Sequence, residues 1–375
     1  MSYERAIQLL KNCETDIGFV ATPKTKANYN RVWARDGVIC CLAAMMSKGF
    51  EKTVLRTLQT LLKHQNVTGQ IPSNVGLKGD VSFGGSCGRV DVNMWLIIGV
   101  GQYVKRYNDL KFLRANIDKI KKIVLLLRSL EINDKGLLYV PLSGDWADEY
   151  VQQGYVLYDE VLYYKALQEY LDMLKLIGEV DLETKRRKER LKLLIRTNFY
   201  KGEELIYHKP MYKHKVEKPY MIAYFNPGKY SAKFCGFGNS LALHFDILTE
   251  EEKQDIHRFI RKRFTHKTKY LIPAFYPVIK AGYEFQLLKN NYLNEFKNKP
   301  YEYHNCGLWP VITGFYATTD EGHSAKYLRG LLRLENFPEY VNGKTFEEKG
   351  TYNLAWSAAP IIMVEKYIEG EKVFI

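Results

Sequence analysis

Apolar residues recur at helical spacing along nearly the whole chain, and two kinds of helix alternate. Residues 36–49 (DGVICCLAAMMSKG) are apolar on most sides, whereas residues 51–66 (EKTVLRTLQTLLKHQN) carry one apolar stripe and a charged back. The mostly apolar stretch 91–107 is followed by an amphipathic, Lys-rich one at 110–131, and the pairing recurs at 157–176 with 181–199, 237–248 with 250–265 and 307–319 with 322–336. A last apolar helix is predicted at 352–368, and an amphipathic one opens the chain at 2–12. A helix apolar all round must be buried, and one with a single stripe covers it from outside.

Six apolar helices ringed by six amphipathic ones predict an all-α protein, an (α/α)6 barrel. The links agree. Those from apolar to amphipathic helices are short, such as Lys48-Gly49, and those in the other direction are long, at 13–35, 67–90, 132–156, 200–236, 266–306 and 337–351. If the helices alternate in direction, all six long links gather at one end, where sites are usually built. Tyr/Ile/Phe runs in 200–235 and 266–306 leave room for short strands or a lid. With no Gly/Ser linker and no break in composition, residues 1–375 read as a single domain; a solenoid of helical hairpins would show a more regular period.

Composition narrows the class. The 375 residues are 46% hydrophobic, too apolar for a disordered chain. No run approaches the roughly 18 apolar residues of a membrane span. The start, MSYERAIQLLKN, lacks the pattern of a secretory signal. The six cysteines (Cys13, Cys40, Cys41, Cys87, Cys235, Cys306) show no CxxC spacing, so a cytoplasmic, disulfide-free protein is expected and the Asn66-Val67-Thr68 sequon is irrelevant. The net charge of +13 raises nucleic acid as a partner, but the densest basic run, Lys185-Arg186-Arg187-Lys188, lies in an amphipathic segment and reads as a solvated helix face.

Three long links hold acids beside aromatic residues: Tyr29-Asn30-Arg31-Val32-Trp33-Ala34-Arg35-Asp36, Ser143-Gly144-Asp145-Trp146-Ala147-Asp148-Glu149-Tyr150 and Asn336-Phe337-Pro338-Glu339-Tyr340-Val341-Asn342-Gly343. Other polar links carry Asn74, Arg89 with Asp91, and Tyr303-His304-Asn305-Cys306-Gly307-Leu308-Trp309-Pro310. Carboxylates, amides and rings together suit a sugar. Cleaving a glycosidic bond needs two carboxyl groups, one to protonate the leaving oxygen and one to activate water or attack the sugar. Burial beside rings raises an acid's pKa, and Asp148 and Glu339 both stand among aromatic neighbours. Plainer readings exist: Asp36 as a first-turn acid favoured by the helix dipole, Asp145 and Asp148 in a turn, Glu339 on the surface, His304 hydrogen-bonded in the interior, and Trp33, Trp309 and Trp356 in the core. Gly343-Lys344-Thr345 is not a P-loop, Gly84-Gly85-Ser86-Cys87-Gly88 is not a dinucleotide fingerprint, and no HExxH, Cys/His cluster or GxSxG elbow occurs.

The combination resembles the alkaline/neutral invertase family, within the α/α-barrel glycosidases that include trehalases, glucoamylases and glycogen-debranching glucosidases. YNRVWARDGV is similar to the family's Trp/Phe-x-Arg-Asp segment, GRVDVNMWLIIGVGQY to its Gly-Arg-Val…Val-Asp-Ser-Gly stretch and FGNSLALHFDILTEEE to its Leu-Gly-Asn helix. YHNCGLWPVITGFY is similar to its Tyr-His-Asn-Gly-Gly-x-Trp-Pro motif, NFPEYVNG to Asp-Trp-Pro-Glu-Tyr and LAWSAA to Thr-Trp-Ser-x-Ala. The resemblance implies an inverting hydrolase of an α-glucosyl bond, sucrose first. Asp148 aligns best with the family's general acid, Asp145 is a close second, and Glu339 matches the base. Arg35 and Asp36 would hold glucosyl hydroxyls, with Asp91, His304, Asn305 and Trp309 completing the pocket. Trp33, Asn74, Arg89, Trp146, Tyr150, Tyr340 and Trp356 are the remaining candidates for sugar contacts. The sequence departs from the family at Glu149-Tyr150-Val151, Tyr230-Ser231-Ala232-Lys233 and Cys306. Alternatives are an α-1,6-glucosidase or trehalase, a sugar epimerase needing paired bases, and a non-catalytic carbohydrate binder. The expected partner is a small carbohydrate, with no nucleic acid, no membrane, no metal and no organic cofactor; a homo-oligomer is left open.

Overall fold

In a computed structural model that describes residues 2–24, 29–85 and 87–375, the stretches apolar on every side become helices with almost no solvent face. Along the chain the helices are α1 (Tyr3–Asn12), α2 (Ala34–Met45), α3 (Glu51–Lys63), α4 (Asp91–Tyr107), α5 (Leu110–Ser129), α6 (Leu157–Leu176), α7 (Leu182–Phe199), α8 (Lys209–Tyr212), α9 (Gly236–Ala242), α10 (Glu250–Arg263), α11 (Tyr283–Asn290), α12 (Pro310–Ala317), α13 (Ser324–Leu332) and α14 (Ala355–Ile368). α2 buries every residue except Arg35, and α4 is buried from Asp91 to Val104. The inner helices α2, α4, α6, α9, α12 and α14 pack in that order, and α14 closes the ring on α2. The amphipathic helices lie outside: α3 packs against α2 and α4, α7 against α6, and α1 and α13 against α14. The expected six-hairpin barrel is the observed fold.

Caps separate the two rings. Outer helices start on polar caps: Asp109 accepts from the Phe112 amide at 2.9 Å, Asp181 from Thr184 at 2.9 Å, and Thr249 forms a reciprocal capping box with Glu252. Five inner helices begin on Trp33, Val90, Val156, Trp309 and Leu354, which provide no side-chain cap. At four of these starts the first helical amide, or the amide just before it, donates to backbone of another link: Ala34 to Ser73 at 2.9 Å, Ala355 to Ala21 at 2.9 Å, Val90 to Gly144 at 2.7 Å and Trp309 to Ile272 at 2.9 Å. The long links thus bind directly to the inner helix ends.

Several boundaries differ from the expected ones. α9 stops at Ala242 rather than near 248, and α12 starts at Pro310, whose ring fixes φ for a first helical position. The links also form small antiparallel sheets. Strands β1 (Glu14–Thr15) and β2 (Gly18–Phe19) form one pair, and β3 (Arg31–Trp33), β4 (Asn74–Gly76) and β5 (Val81–Ser82) form a second sheet. β6 (Tyr155–Val156), β7 (Ile222–Asn226), β8 (Lys229–Cys235) and β9 (Phe275–Tyr276) pair in sequence order, while β10 (Tyr340–Val341) pairs with β11 (Glu348–Lys349). The four-stranded sheet is the strand-forming part of 200–235 and 266–306. Residues 25–28 of the first long link, and Ser86 of the Gly-rich run, lie outside the described residues. In the basic run, Arg187 donates to Glu131 at 2.7 Å and to Asp134 at 3.1 Å, which spends its charge on the link that follows α5. Among the described residues no helix is long and apolar enough to cross a membrane.

Ring closure requires small residues where inner helices touch. A Cβ on Gly314 of α12 would stand 2.3 Å from Pro360 Cβ and 2.8 Å from its Cα, on α14. Gly314→Ala is therefore expected to lower stability by about 1–3 kcal/mol, read as a lower melting temperature by calorimetry. An unchanged melting temperature would mean that the ring is looser at this contact.

Candidate active site

At the end of the barrel where the long links gather lies a cavity of about 200 Å³. Its wall includes Trp33, Arg35 and Asp36 from the start of α2, Trp309 from α12 and Trp356 from α14. Trp146, Asp148 and Glu149 come from the link before α6, and Glu339 from the link before α14. Tyr29, Leu293, Asn294, Lys297 and Tyr303 complete it. Wider concavities exist, such as one of about 570 Å³ beside α10, but its single lining acid, Asp255, is tied to Lys201 and Arg258.

Glu339 is the most closely held acid. It is 7% exposed, its Oε1 accepts from the Tyr29 hydroxyl at 3.1 Å, and its Oε2 accepts from the Thr351 amide at 3.0 Å. The β10–β11 hairpin supplies this seat: Glu339 precedes β10, and Thr351 follows β11. Burial raises the Glu339 pKa, opposed by the Thr351 amide, the Lys297 charge and the Tyr29 hydroxyl. The Glu339 charge in turn pushes the Tyr29 hydroxyl up. Gly350, with φ of +78°, leaves room for the carboxylate; a Cβ there would sit 2.4 Å from Glu339 Oε2.

On the opposite link, Asp148 pairs with Arg89, whose Nη2 donates to Asp148 Oδ2 at 2.7 Å. Arg89 is not on the cavity wall. Its Nη1 also donates to the carbonyls of Gly88 at 3.0 Å and Ser143 at 2.7 Å, fastening the loop before α4 to the loop that carries Asp148. Glu149 lines the cavity too. Burial raises its pKa, and Lys297, 3.7 Å away, opposes the rise. Arg35 donates to Asp91 at 3.1 Å, stands 3.5 Å from Asp36 and lies over the Trp356 ring at 5.4 Å. Burial raises the Asp36 pKa, and Arg35 pulls it back.

A second layer lies behind this wall. Asp91, at the start of α4, accepts from Arg35 and from the Tyr158 hydroxyl at 3.1 Å, and Tyr158 accepts from Trp95 at 2.8 Å. Asp145 accepts from the Ala147 amide at 2.8 Å and from Gln152 at 2.6 Å, bracing the loop that presents Asp148. Burial and the Asp91 charge push Asp145 up to about 7. It faces Asp159, whose pKa burial and the Asp145 charge push well up. His304 is fully buried, stacked on Trp309 at 5.3 Å and edge-on to Trp146 at 4.9 Å, and burial drives its pKa well down.

Of the residues singled out in the sequence, Trp33, Arg35, Asp36, Trp146, Asp148, Trp309, Glu339 and Trp356 meet at the cavity. Asn74, Arg89, Asp91, Asp145, Tyr150, His304, Asn305 and Tyr340 do not line it. Asn74 accepts from Arg31 within the small sheet, Tyr150 stacks on Phe275 at 4.0 Å, and Tyr340 stacks on Trp309 at 5.9 Å. The Asn305 side chain bonds Ile279 through both its oxygen and its nitrogen, each at 2.8 Å. Tyr29 and Tyr303 were visible as members of aromatic clusters and Glu149 as the neighbour of Asp148. Gly350, Thr351 and residues 291–298 carried no local signal. Among the described residues no three His, Cys, Asp or Glu are grouped so as to hold a metal ion.

A family model described as alkaline and neutral invertase matches residues 212–369, a span that contains Glu339, Trp309 and Trp356 but not the Asp148 loop. The chain is similar to probable alkaline/neutral invertase A, chloroplastic, of Arabidopsis thaliana, at 22% identity over 99% of this chain and 70% of that protein. It is also similar to probable alkaline/neutral invertase D of the same plant, at 23% identity over 91% of this chain and 76% of that protein. Among solved structures, a GH63 mannosylglycerate hydrolase from Thermus thermophilus, in complex with Tris, superposes with a TM-score of 0.72 at 12% identity, covering 97% of this chain and 99% of that one.

The raised pKa of Asp145 has a sign that can be read in solution. Its unfolded value lies near 4. Between roughly pH 4 and about 7 the native state then binds more protons than the unfolded chain, so this group's contribution to stability falls as pH rises. Asp145→Asn removes the titration. The melting temperature of the variant relative to wild type is expected to increase by a few °C, about 2–5, between about pH 4 and pH 7.5. A constant difference across that range would mean that Asp145 titrates as an ordinary surface carboxyl.

Proposed function

We propose that this chain, a glycoside hydrolase with the six-hairpin fold and a likeness to the alkaline and neutral invertases, is a single-domain inverting α-glucosidase acting on a small glucoside, with sucrose the first candidate. The observation that carries the reading is that Asp148 and Glu339, from opposite links, line one small cavity walled by Trp33, Trp146, Trp309 and Trp356. Pyranose rings present apolar faces that indole rings cover, and two carboxyl groups across such a cavity fit acid–base cleavage of a glycosidic bond.

In this mechanism Asp148 gives its proton to the leaving oxygen, and Arg89 stabilises the carboxylate that remains. Glu339 takes a proton from the water that attacks the opposite face of the sugar carbon. The Thr351 amide and the Tyr29 hydroxyl aim Glu339 and favour its ionised form against the effect of burial. Arg35 and Asp36 hold glucosyl hydroxyls, while Asp91 and Tyr158 fix the Arg35 side of the pocket from behind. Asp145 supports the acid loop rather than acting as the acid, because its oxygens are spent on Ala147 and Gln152. The compartment we assign is the cytoplasm, since Cys13, Cys40, Cys41, Cys235 and Cys306 are buried thiols. An epimerase needs paired bases at the sugar. His304 does not suit that role, because it lies behind the wall in a ring stack.

Glu339→Gln and Asp148→Asn are each expected to reduce hydrolysis by roughly 10²–10⁴-fold while circular dichroism stays native. Glu149→Gln is expected to cost less than about tenfold. Turnover would be measured on sucrose, trehalose, isomaltose, maltose and a limit dextrin, with NMR of fresh product. Release of β-glucose from an α-glucoside fits inversion; retained α-glucose sinks it, and a dead Glu149 variant beside an active Asp148 variant moves the acid role to Glu149.

A further inference from the structure

The wall beside Asp148 is built by residues 291–298, which follow α11. Asn291 donates to the Tyr150 carbonyl at 3.0 Å and accepts from the Ser143 hydroxyl at 3.1 Å. Asn298 donates to the Glu149 carbonyl at 2.8 Å. These bonds fasten the segment along the loop that carries the acid. Between the anchors, Leu293, Asn294 and Lys297 face the cavity. An acid that protonates the leaving oxygen stands on the leaving-group side of the bond, so these three residues border the leaving group rather than the glucosyl ring.

Lys297 is the cation of this wall that makes no hydrogen bond among the described residues. Its Nζ lies 3.7 Å from Glu149 Oε1, beyond hydrogen-bond distance, and 5.1 Å from the centre of the Tyr303 ring. Arg35, the other lining cation, already donates to Asp91 and stands beside Asp36. Of the four lining acids, Asp148 is matched by Arg89 and Asp36 by Arg35, while Glu149 and Glu339 face Lys297. The Lys297 side chain is 31% exposed, so an incoming anion can reach the ammonium without breaking a hydrogen bond. An ammonium gains more from an anion than from a hydroxyl, because a charge-assisted bond is about twice as strong as a neutral one.

We infer that Lys297, with Asn294 beside it, recognises an anionic substituent, a carboxylate or a phosphate, on the leaving group of the glycoside. The inference rests on the glucosidase reading, which places the leaving group on this side. It makes Lys297 a specificity residue that contributes to binding, not to proton transfer.

The test compares matched substrates. Sucrose is set against sucrose carrying phosphate on the fructosyl 6-hydroxyl, and glucosylglycerol against glucosylglycerate, with kcat/KM measured for wild type, Lys297→Met and Lys297→Arg. Wild type is expected to prefer the anionic member of one pair by roughly tenfold or more, and to lose part of that preference in high salt. Lys297→Met should bring the ratio to within about threefold of unity, while Lys297→Arg keeps most of it. The inference is overturned by neutral and anionic members being cleaved alike, or by a preference that survives in Lys297→Met. The phosphate and carboxylate arms separate the two chemistries. Calorimetric titration of fructose 6-phosphate against fructose, and of glycerate against glycerol, reads the same preference without turnover. Lys297-dependent binding of the anionic member with no glucoside cleaved would reject the glucosidase reading alone. Cleavage of sucrose with no anionic preference would reject the Lys297 assignment alone.

Discussion

The closed ring of six inner helices is the constraint from which the rest follows. Each inner helix is wrapped by two ring neighbours and an outer helix, so a polar side chain along its middle has nowhere to be solvated. Many polar residues sit near the helix ends, and the mid-helix Lys165 and Glu169 of α6 are paired with each other. Asp36, Asp91 and Asp159 all lie in the first turn of an inner helix, at the end where the amides carry partial positive charge. The same ends lack side-chain caps, since backbone from the long links already meets their first amides. Scaffold and site are therefore one construction: the links that finish the helices also carry the cavity wall.

The acids sort into two layers with different physics. Those in front, Asp36, Asp148, Glu149 and Glu339, face the cavity and have cations or donors nearby. Those behind, Asp91, Asp145 and Asp159, lie in the interior; Asp91 is matched by Arg35, while desolvation and like charge raise the pKa of Asp145 and of Asp159. Asp145 connects the layers, because its acceptor bonds to Ala147 and Gln152 shape the loop on which Asp148 stands. A carboxyl in that position acts on geometry, although its chain neighbourhood looks the same as that of Asp148.

Much of this was legible in the sequence, for a reason that also marks the limit. Helix periodicity extends over many residues, so the twelve barrel helices (α1–α7, α9, α10 and α12–α14) could be sorted into inner and outer members, while the short α8 and α11 inside the long links could not be foreseen, and the acid-and-aromatic clusters fell into those links. Strands such as β6 and β10 are two residues long and carry no period. Exclusion of Asp145, His304 and Asn305 from the cavity wall depends on which way side chains turn within a loop, and adjacent acids such as Asp148 and Glu149 cannot be ranked by composition. Gly350 and Thr351 matter only because a hairpin folds them back onto Glu339, a contact set by pairing across β10 and β11. Residues 291–298 look like an ordinary polar loop until Asn291 and Asn298 are seen gripping a loop far earlier in the chain, at separations of 141 and 149 residues.

That grip turns two stretches far apart in the chain into one mechanical part. The loop of residues 143–150 and the segment of residues 291–298 share three hydrogen bonds through Ser143, Tyr150 and Glu149. In the proposed mechanism, the wall that selects a leaving group cannot shift without pulling on the group that protonates it. For anyone transplanting specificity between barrels of this shape, the natural unit of exchange is the pair of segments with its bridging asparagines; a graft of residues 291–298 alone would retune recognition and misalign the chemistry at the same stroke.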